Sequence, residues 1–266
     1  AQHAQDPRLT QGSQMNEGEI SSRLGLKGWP AVAEEAIIAR DVLWADHVQS
    51  RLHICHLTTA GGVEIIRWAK ARGISVTAEV TPHHLLLTDE SALGYDPIFK
   101  VNPPLRTQKD VEALREGLAD GTIDIVATDH APHPAEAKEC EWQEASFGML
   151  GLESALSIIN QTMVAPGLMN WESVADRMSY APAKIARYNE HGKALTVGAM
   201  ANITLINPGQ TYRVDRDLVA SRSRNTPFHG MDLQGAVTAT FFKGFPTFLK
   251  GKLTSVHDGT AESDGR

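Results

Sequence analysis

The chain has 266 residues, 42% of them hydrophobic and 21% charged, which is enough apolar material for one large domain, or a domain with a smaller companion, and excludes a disordered or fibrous protein. No apolar run reaches the ~18–20 residues that a membrane-spanning helix needs. A formal net charge of −7 with no Lys/Arg block argues against a nucleic-acid or anionic-membrane surface, and two cysteines, Cys55 and Cys140, build no disulfide framework.

The chain opens Ala1-Gln2-His3 without an initiator Met, as if at the end of a strand. The expectation is that a portion lies upstream and, with no leader in view, that the protein is cytoplasmic. Residues 33–43 carry apolar positions at helical spacing with acids near the start. Residues 51–57 alternate as a strand does, and 62–72 read as a helix stopped by Gly73. Residues 74–80 form a β-branched strand closed by Thr81-Pro82. A further amphipathic helix spans 108–119, ending near Gly121, and 123–128 is the last strand of this series.

Strand–helix repeats with connections this long imply parallel strands and right-handed crossovers. A doubly wound sheet would want a Gly-rich phosphate loop after a strand, and none is present. The favoured fold is therefore α/β, the C-terminal portion of a (β/α)8 TIM-type barrel, with chemistry at the C-terminal ends of its strands. After residue 150 helices are expected at 151–163, 171–178 and from 181, where Pro182 sits in the first turn. Short β runs follow at 201–206, 210–214, 235–242 and 245–249, separated by turns at Asn207-Pro208-Gly209 and Lys243-Gly244. The expected division is 1–194 for the barrel portion, 195–257 for a small β-rich module and 258–266 for a disordered tail.

Eleven histidines gather mostly into compact groups. In a strand, His53 and His56 point to opposite faces, so only one of them can serve a given metal; His56, at the C-terminal end, is the better candidate and His53 the packed or partly exposed residue. Cys55 is expected to face the helices as a small apolar residue. Of His83 and His84, one is expected to hydrogen-bond in support and the other to pack. Asp129 ends an apolar strand where Pro132 and Pro134 leave no immediate helix to cap, so its carboxylate suits metal ligation and proton transfer. His133, four residues on, suits an anionic substrate group. Asn102, in the doubly Pro-stiffened run at 101–106, is presented at low entropic cost or merely precedes a helix. Ser146-Phe147-Gly148 either lets backbone groups approach a ligand or makes a turn.

Taken in order, His3-Ala4-Gln5-Asp6, Cys55-His56-Leu57-Thr58-Thr59, Ala78-Glu79-Val80-Thr81-Pro82-His83-His84-Leu85, Lys100-Val101-Asn102-Pro103-Pro104-Leu105-Arg106 and Thr128-Asp129-His130-Ala131-Pro132-His133 resemble the bacterial-type (class I) dihydroorotases of the amidohydrolase superfamily. Arg224-Asn225-Thr226-Pro227-Phe228 resembles that family too. The resemblance implies a barrel holding two zinc ions, with His3, His56 and Asp129 as the matching metal ligands. It makes Asp129 the proton carrier, and Asn102, His133, Phe147 and Gly148 the substrate contacts. It also implies an HxH pair and a bridging acid on earlier strands, which this chain does not supply, so the chain alone is expected to be inactive.

Gln5 stands where the family often has Glu, and Ala201-Asn202-Ile203-Thr204 replaces a usual Ala-Asp-Leu-Thr. The implied reaction interconverts dihydroorotate and N-carbamoyl-L-aspartate. The rivals are another cyclic amidohydrolase (hydantoinase, dihydropyrimidinase or allantoinase) and a metal-free scaffold for aspartate transcarbamoylase. A homodimer or a complex with that transcarbamoylase is the implied partner state.

Overall fold

The computed structural model describes residues 1–254, so the tail expected from residue 258 lies outside the described residues. A short parallel pair, β1 (Met15–Asn16) and β2 (Gly28–Trp29), brackets helix α1 (Glu19–Leu24). Helix α2 (Val32–His47) then leads into β3 (Leu52–Ile54) and α3 (Ala60–Ala71) into β4 (Val76–Val80). Two helices, α4 (Pro82–Leu86) and α5 (Gln108–Asp120), precede β5 (Ile125–Val126). β3, β4 and β5 pair in that order, all parallel. Gln2 extends the array on the free side of β3: its N–H donates to His53 O (2.8 Å), and its carbonyl accepts from Cys55 N (2.9 Å).

Local chemistry sets these boundaries. Thr59 caps α3 by accepting from Gly62 N, and Thr107 with Asp110 makes a reciprocal capping box on α5. Along β4, Val76, Ala78 and Val80 are buried while Thr77 and Glu79 are half-exposed, the period of two that a strand imposes. The buried set packs with Ile38, Ile54, Leu57, Ile66, Leu114 and Ile123 in the main core. The other face, with Thr77 and Glu79, carries the polar groups described below.

Beyond the strand closed by Thr81-Pro82 the run is helical: Thr81 accepts from His84 N and Pro82 starts α4, so His83 and His84 sit on one turn. Two local expectations change. The helix expected over 151–163 is confined to α7 (Ala155–Ile159) and a π turn over Asn160–Val164; α6 (Ala135–Lys138) precedes it, and α8 (Trp171–Ala175) and α9 (Ala181–Ala186) follow. Asn207-Pro208-Gly209 makes no turn. It is an irregularity inside one strand, β6 (Ile203–Arg213), which lies at the edge of its sheet, where a residue without an N–H is tolerated.

β6 pairs antiparallel with β7 (Asp232–Phe242), which pairs with β8 (Phe245–Leu249) and that with β9 (Lys252–Leu253). Between β6 and β7 the chain returns to the α/β part, where Phe228 packs with Val101, Leu105, Met149 and Ile158. Among the described residues, no helix is long and apolar enough to cross a membrane.

Arg106 is the most heavily used buried group, only 1% exposed. Its guanidinium donates to Trp29 O (2.8 Å), Asn16 Oδ1 (3.0 Å), Thr58 Oγ1 (3.1 Å) and Glu34 Oε2 (3.2 Å). Glu34, 2% exposed, also accepts from Thr58 N (2.7 Å) and from the Thr58 hydroxyl. One ion pair thus joins the parallel β1–β2 pair, the start of α2, the turn after β3 and the 101–106 run. Removing one partner leaves a buried charge unanswered, which costs about 3–5 kcal/mol. Glu34→Gln is expected to lose stability of that order in urea unfolding, and a double variant with Arg106→Met to regain part of it; unchanged stability in the single variant would remove the pair from the fold's support.

His83 is fully buried with neither ring nitrogen hydrogen-bonded, whereas His84 bonds Thr81 Oγ1 (2.7 Å) and Pro103 O (3.1 Å). His84 is the supporting member of the pair and His83 the packed one. Burial, reinforced by His56, pushes the His83 imidazole down to about 3, and burial holds His84 well below its usual value. Each ring therefore takes up a proton more readily in the unfolded chain. The stability they contribute is complete above pH ~6.5 and is lost as the pH falls toward 3, by up to about 1.4 kcal/mol per pH unit for each ring. His83→Leu is expected to flatten that acid slope in denaturation measured at successive pH values; an unchanged slope would contradict a neutral, buried His83.

Candidate active site

The parallel register places the C-terminal ends of the strands side by side. Gln2 is level with Ile54, so His3 arrives beside His56, and the two rings meet edge to face with centroids 4.5 Å apart. His3 Nδ1 lies 2.8 Å from His56 Nε2, and His3 Nε2 lies 3.0 Å from Gln5 Oε1. One hydrogen pattern satisfies both contacts: His3 Nε2–H donates to Gln5, and His56 Nε2–H donates to His3 Nδ1. His56 Nδ1 is then a bare lone pair, and it is buried without a partner. Burial first, then the neighbouring His3, pushes the His56 imidazole below its usual value, while Asp129 pulls it upward.

His56 and Asp129 both adopt left-handed backbone, with φ of 33° and 44°. Such conformations are costly for residues with a Cβ and concentrate where a side chain must be aimed. Glu79 supports the first of them by accepting from His56 N at 3.3 Å. Asp129 follows β5, is exposed, and its charge acts on both His56 and Cys55.

Cys55 does not face the helices; Ile54 does, fully buried. Cys55 shares the opposite face with His53 and Glu79, and among the described residues these make the one set of three whose ligand atoms all lie within 4.8 Å of one another. Their groups are already engaged: His53 contacts Thr77 Oγ1 (2.8 Å) and Glu79 Oε2 (2.9 Å), and burial pushes the Cys55 thiol up, away from the thiolate a metal needs. His3 and His56 fit a divalent ion better. Their facing nitrogens converge, and Gln5 orients His3 from behind, the outer support that metal-bound imidazoles usually have.

The predicted substrate contacts gather at the same end. Asn102 donates to Gln5 Oε1 (3.3 Å), and its own Oδ1 is buried without a donor. His133 Nε2 is 2.9 Å from Phe147 O, and His133 N donates to Asn225 Oδ1 (3.2 Å). Gly148 N donates to Lys100 O (2.9 Å). Phe147 O and Gly148 N therefore spend their hydrogen bonds inside the protein in this structure. Gly148 has φ 134°, and an added Cβ would lie 2.7 Å from Ala131 Cβ and 2.8 Å from His133 Nε2, so the loop closes only on glycine.

Sequence reasoning missed Arg106 and Glu34 as a buried pair, the role of Asn225, and Lys100 and Lys138. A charged residue inside a Pro-rich or amphipathic run was the only available signal, and it does not distinguish a buried partner from a solvated one.

Comparisons with known proteins give the family. An amidohydrolase family model matches residues 33–247, and a dihydro-orotase-like model matches residues 1–61. The chain is 64% identical to a dihydroorotase of Streptomyces coelicolor over 96% of this chain and 59% of that protein. It is 60% identical to a dihydroorotase of Leifsonia xyli over 95% and 58%. The L-hydantoinase of Arthrobacter aurescens superposes with a TM-score of 0.80 at 32% identity, over 85% of this chain and 51% of that one. The chain thus spans less than two thirds of the curated relatives it matches. With parallel strands ending in two facing imidazoles and a neighbouring carboxylate, and a family model covering most of its length, the chain belongs to the amidohydrolase family.

Proposed function

We propose that the whole protein is a dihydroorotase, which opens the cyclic amide of dihydroorotate to N-carbamoyl-L-aspartate and closes it in reverse. The observation that carries this reading is the convergence of His3 Nδ1 and His56 Nε2 at 2.8 Å, with the Asp129 carboxylate near enough to act on His56 through its charge. Its substrate-level support is the 64% identity to a relative named dihydroorotase, against 32% to a hydantoinase.

In this reading His3, His56 and Asp129 help hold zinc, two ions in the complete centre, which supply an activated water and polarise the amide carbonyl. Asp129, aimed by its left-handed backbone, takes the proton from the attacking water and passes it to the ring nitrogen as the bond breaks; for ring closure it works in the opposite sense. Burial, with His3 nearby, lowers the basicity of His56, which favours the neutral ring that a ligand must be. Asn102 and His133 bind the carboxylate that distinguishes dihydroorotate from neutral cyclic amides, with Phe147 and Gly148 closing over the ring. His133 is oriented for this by its contacts with Phe147 O and Asn225. The same reading divides the chain near residue 194, ahead of the β6–β9 sheet.

In the whole protein, Asp129→Asn is expected to lower turnover in both directions by about 10²–10⁴-fold with the fold intact. Steady-state assays on dihydroorotate, hydantoin and allantoin check this; near-normal activity of the variant would take Asp129 out of the proton path, and preference for a neutral ring would overturn the substrate assignment.

A further inference from the structure

Two lysines that the proposed chemistry does not use are buried behind the loop carrying Phe147 and Gly148. Lys100 is 2% exposed and Lys138 4%. Lys100 Nζ donates to Trp142 O (2.7 Å) and Gln143 O (3.0 Å) and lies 4.6 Å from the centre of the Phe147 ring. Lys138 Nζ donates to Lys100 O (3.1 Å) and Ser146 O (2.9 Å). The Lys100 carbonyl also accepts from Gly148 N, and Phe147 O is held by His133. The two ammonium groups and the closing loop are therefore one connected unit.

Neither ammonium forms an ion pair among the described residues; Glu144 acts on Lys100 and Asp96 on Lys138 only from farther away, along with Cys140 on both. Backbone carbonyls and a ring face satisfy their hydrogen bonds but leave two positive charges in a poorly solvated place. Burial pushes Lys100 down, and burial with Lys100 nearby pushes Lys138 down to about 8. An apolar side chain of similar length would avoid the desolvation cost of an ammonium but would leave the Trp142, Gln143 and Ser146 carbonyls without these donors. With carbonyls as their hydrogen-bond partners and no carboxylate in ion-pair contact, the two ammonium groups leave positive charge that would favour an anion arriving with the ligand.

We propose that Lys100 and Lys138 are positioning and specificity residues: a buried cation pair that holds the Phe147–Gly148 loop and biases the site toward a ring bearing a carboxylate. The inference rests on the dihydroorotase reading and adds to the direct contacts of Asn102 and His133 a second, longer-range contribution to the anion preference.

The test uses the whole metal-loaded protein, wild type and with Lys138→Met, Lys100→Met and Lys138→Arg. Dihydroorotate is the substrate; orotate and dihydrouracil, the latter the same saturated ring without the carboxylate, are competing ligands. The Met variants are expected to raise KM for dihydroorotate and Ki for orotate about tenfold, to weaken dihydrouracil binding clearly less through the loosened loop, and to leave kcat little changed, with Lys138→Arg recovering part of the loss. Equal effects on the anionic and neutral ligands, or an unchanged KM, would overturn the assignment. Should the Met variants not fold, the Nζ titration of Lys138 in the wild type decides: orotate is expected to raise its midpoint and dihydrouracil to leave it in place, and no movement with orotate would overturn the proposal. A wild type that neither turns over dihydroorotate nor binds orotate would instead bring down the functional reading beneath it.

Discussion

The position of Gln2 against β3 is the constraint on which the site depends. Its N–H and carbonyl bond to His53 O and Cys55 N, which fixes the register of the first residues against a strand fifty positions later. A shift of one residue would turn His3 to the other face and away from His56. Because β3, β4 and β5 run parallel in sequence, their C-terminal ends open on one side, and residues from three distant segments reach a common place. Parallel topology thereby converts separation along the chain into proximity, and the left-handed backbone at His56 and Asp129 is local strain that this frame sustains.

Around that frame, charge is buried in two different ways. The Arg106–Glu34 pair is internally neutral and ties the turn after β3 to the 101–106 run. It holds Thr58, two residues from His56, and its own run carries Asn102, so a structural ion pair stiffens both the loop proposed to bind metal and the loop proposed to bind substrate. Lys100 and Lys138 are bonded to carbonyls but not to carboxylates. The first arrangement serves rigidity; the second leaves positive charge behind a loop proposed to meet an anionic substrate. His83 adds a third case, a neutral ring packed without partners beneath the site.

The amphipathic helices, the alternating strand at β4 and the placement of His56 and Asp129 at strand ends were all legible in the sequence, because they follow from period and punctuation. His3 was legible only through resemblance, since a terminal histidine carries no periodic signal. The failures share a cause. Cys55 was placed against the helices although Ile54, one position away, is the better apolar residue for that face. Asn207-Pro208-Gly209 was read as a turn although an edge strand can absorb it as an irregularity. In each case two local readings fit the residues, and tertiary packing chose between them. The Arg106 network was invisible for a related reason: four of its groups come from segments that no short-range pattern connects.

Metal ligation by His3 and His56 together is the central claim, and X-ray absorption at the zinc edge with metal analysis of the whole protein tests it most directly. The account predicts imidazole coordination in the wild type and loss of bound zinc in both His3→Ala and His56→Ala. Full zinc content with an unaltered coordination spectrum in either variant would contradict it.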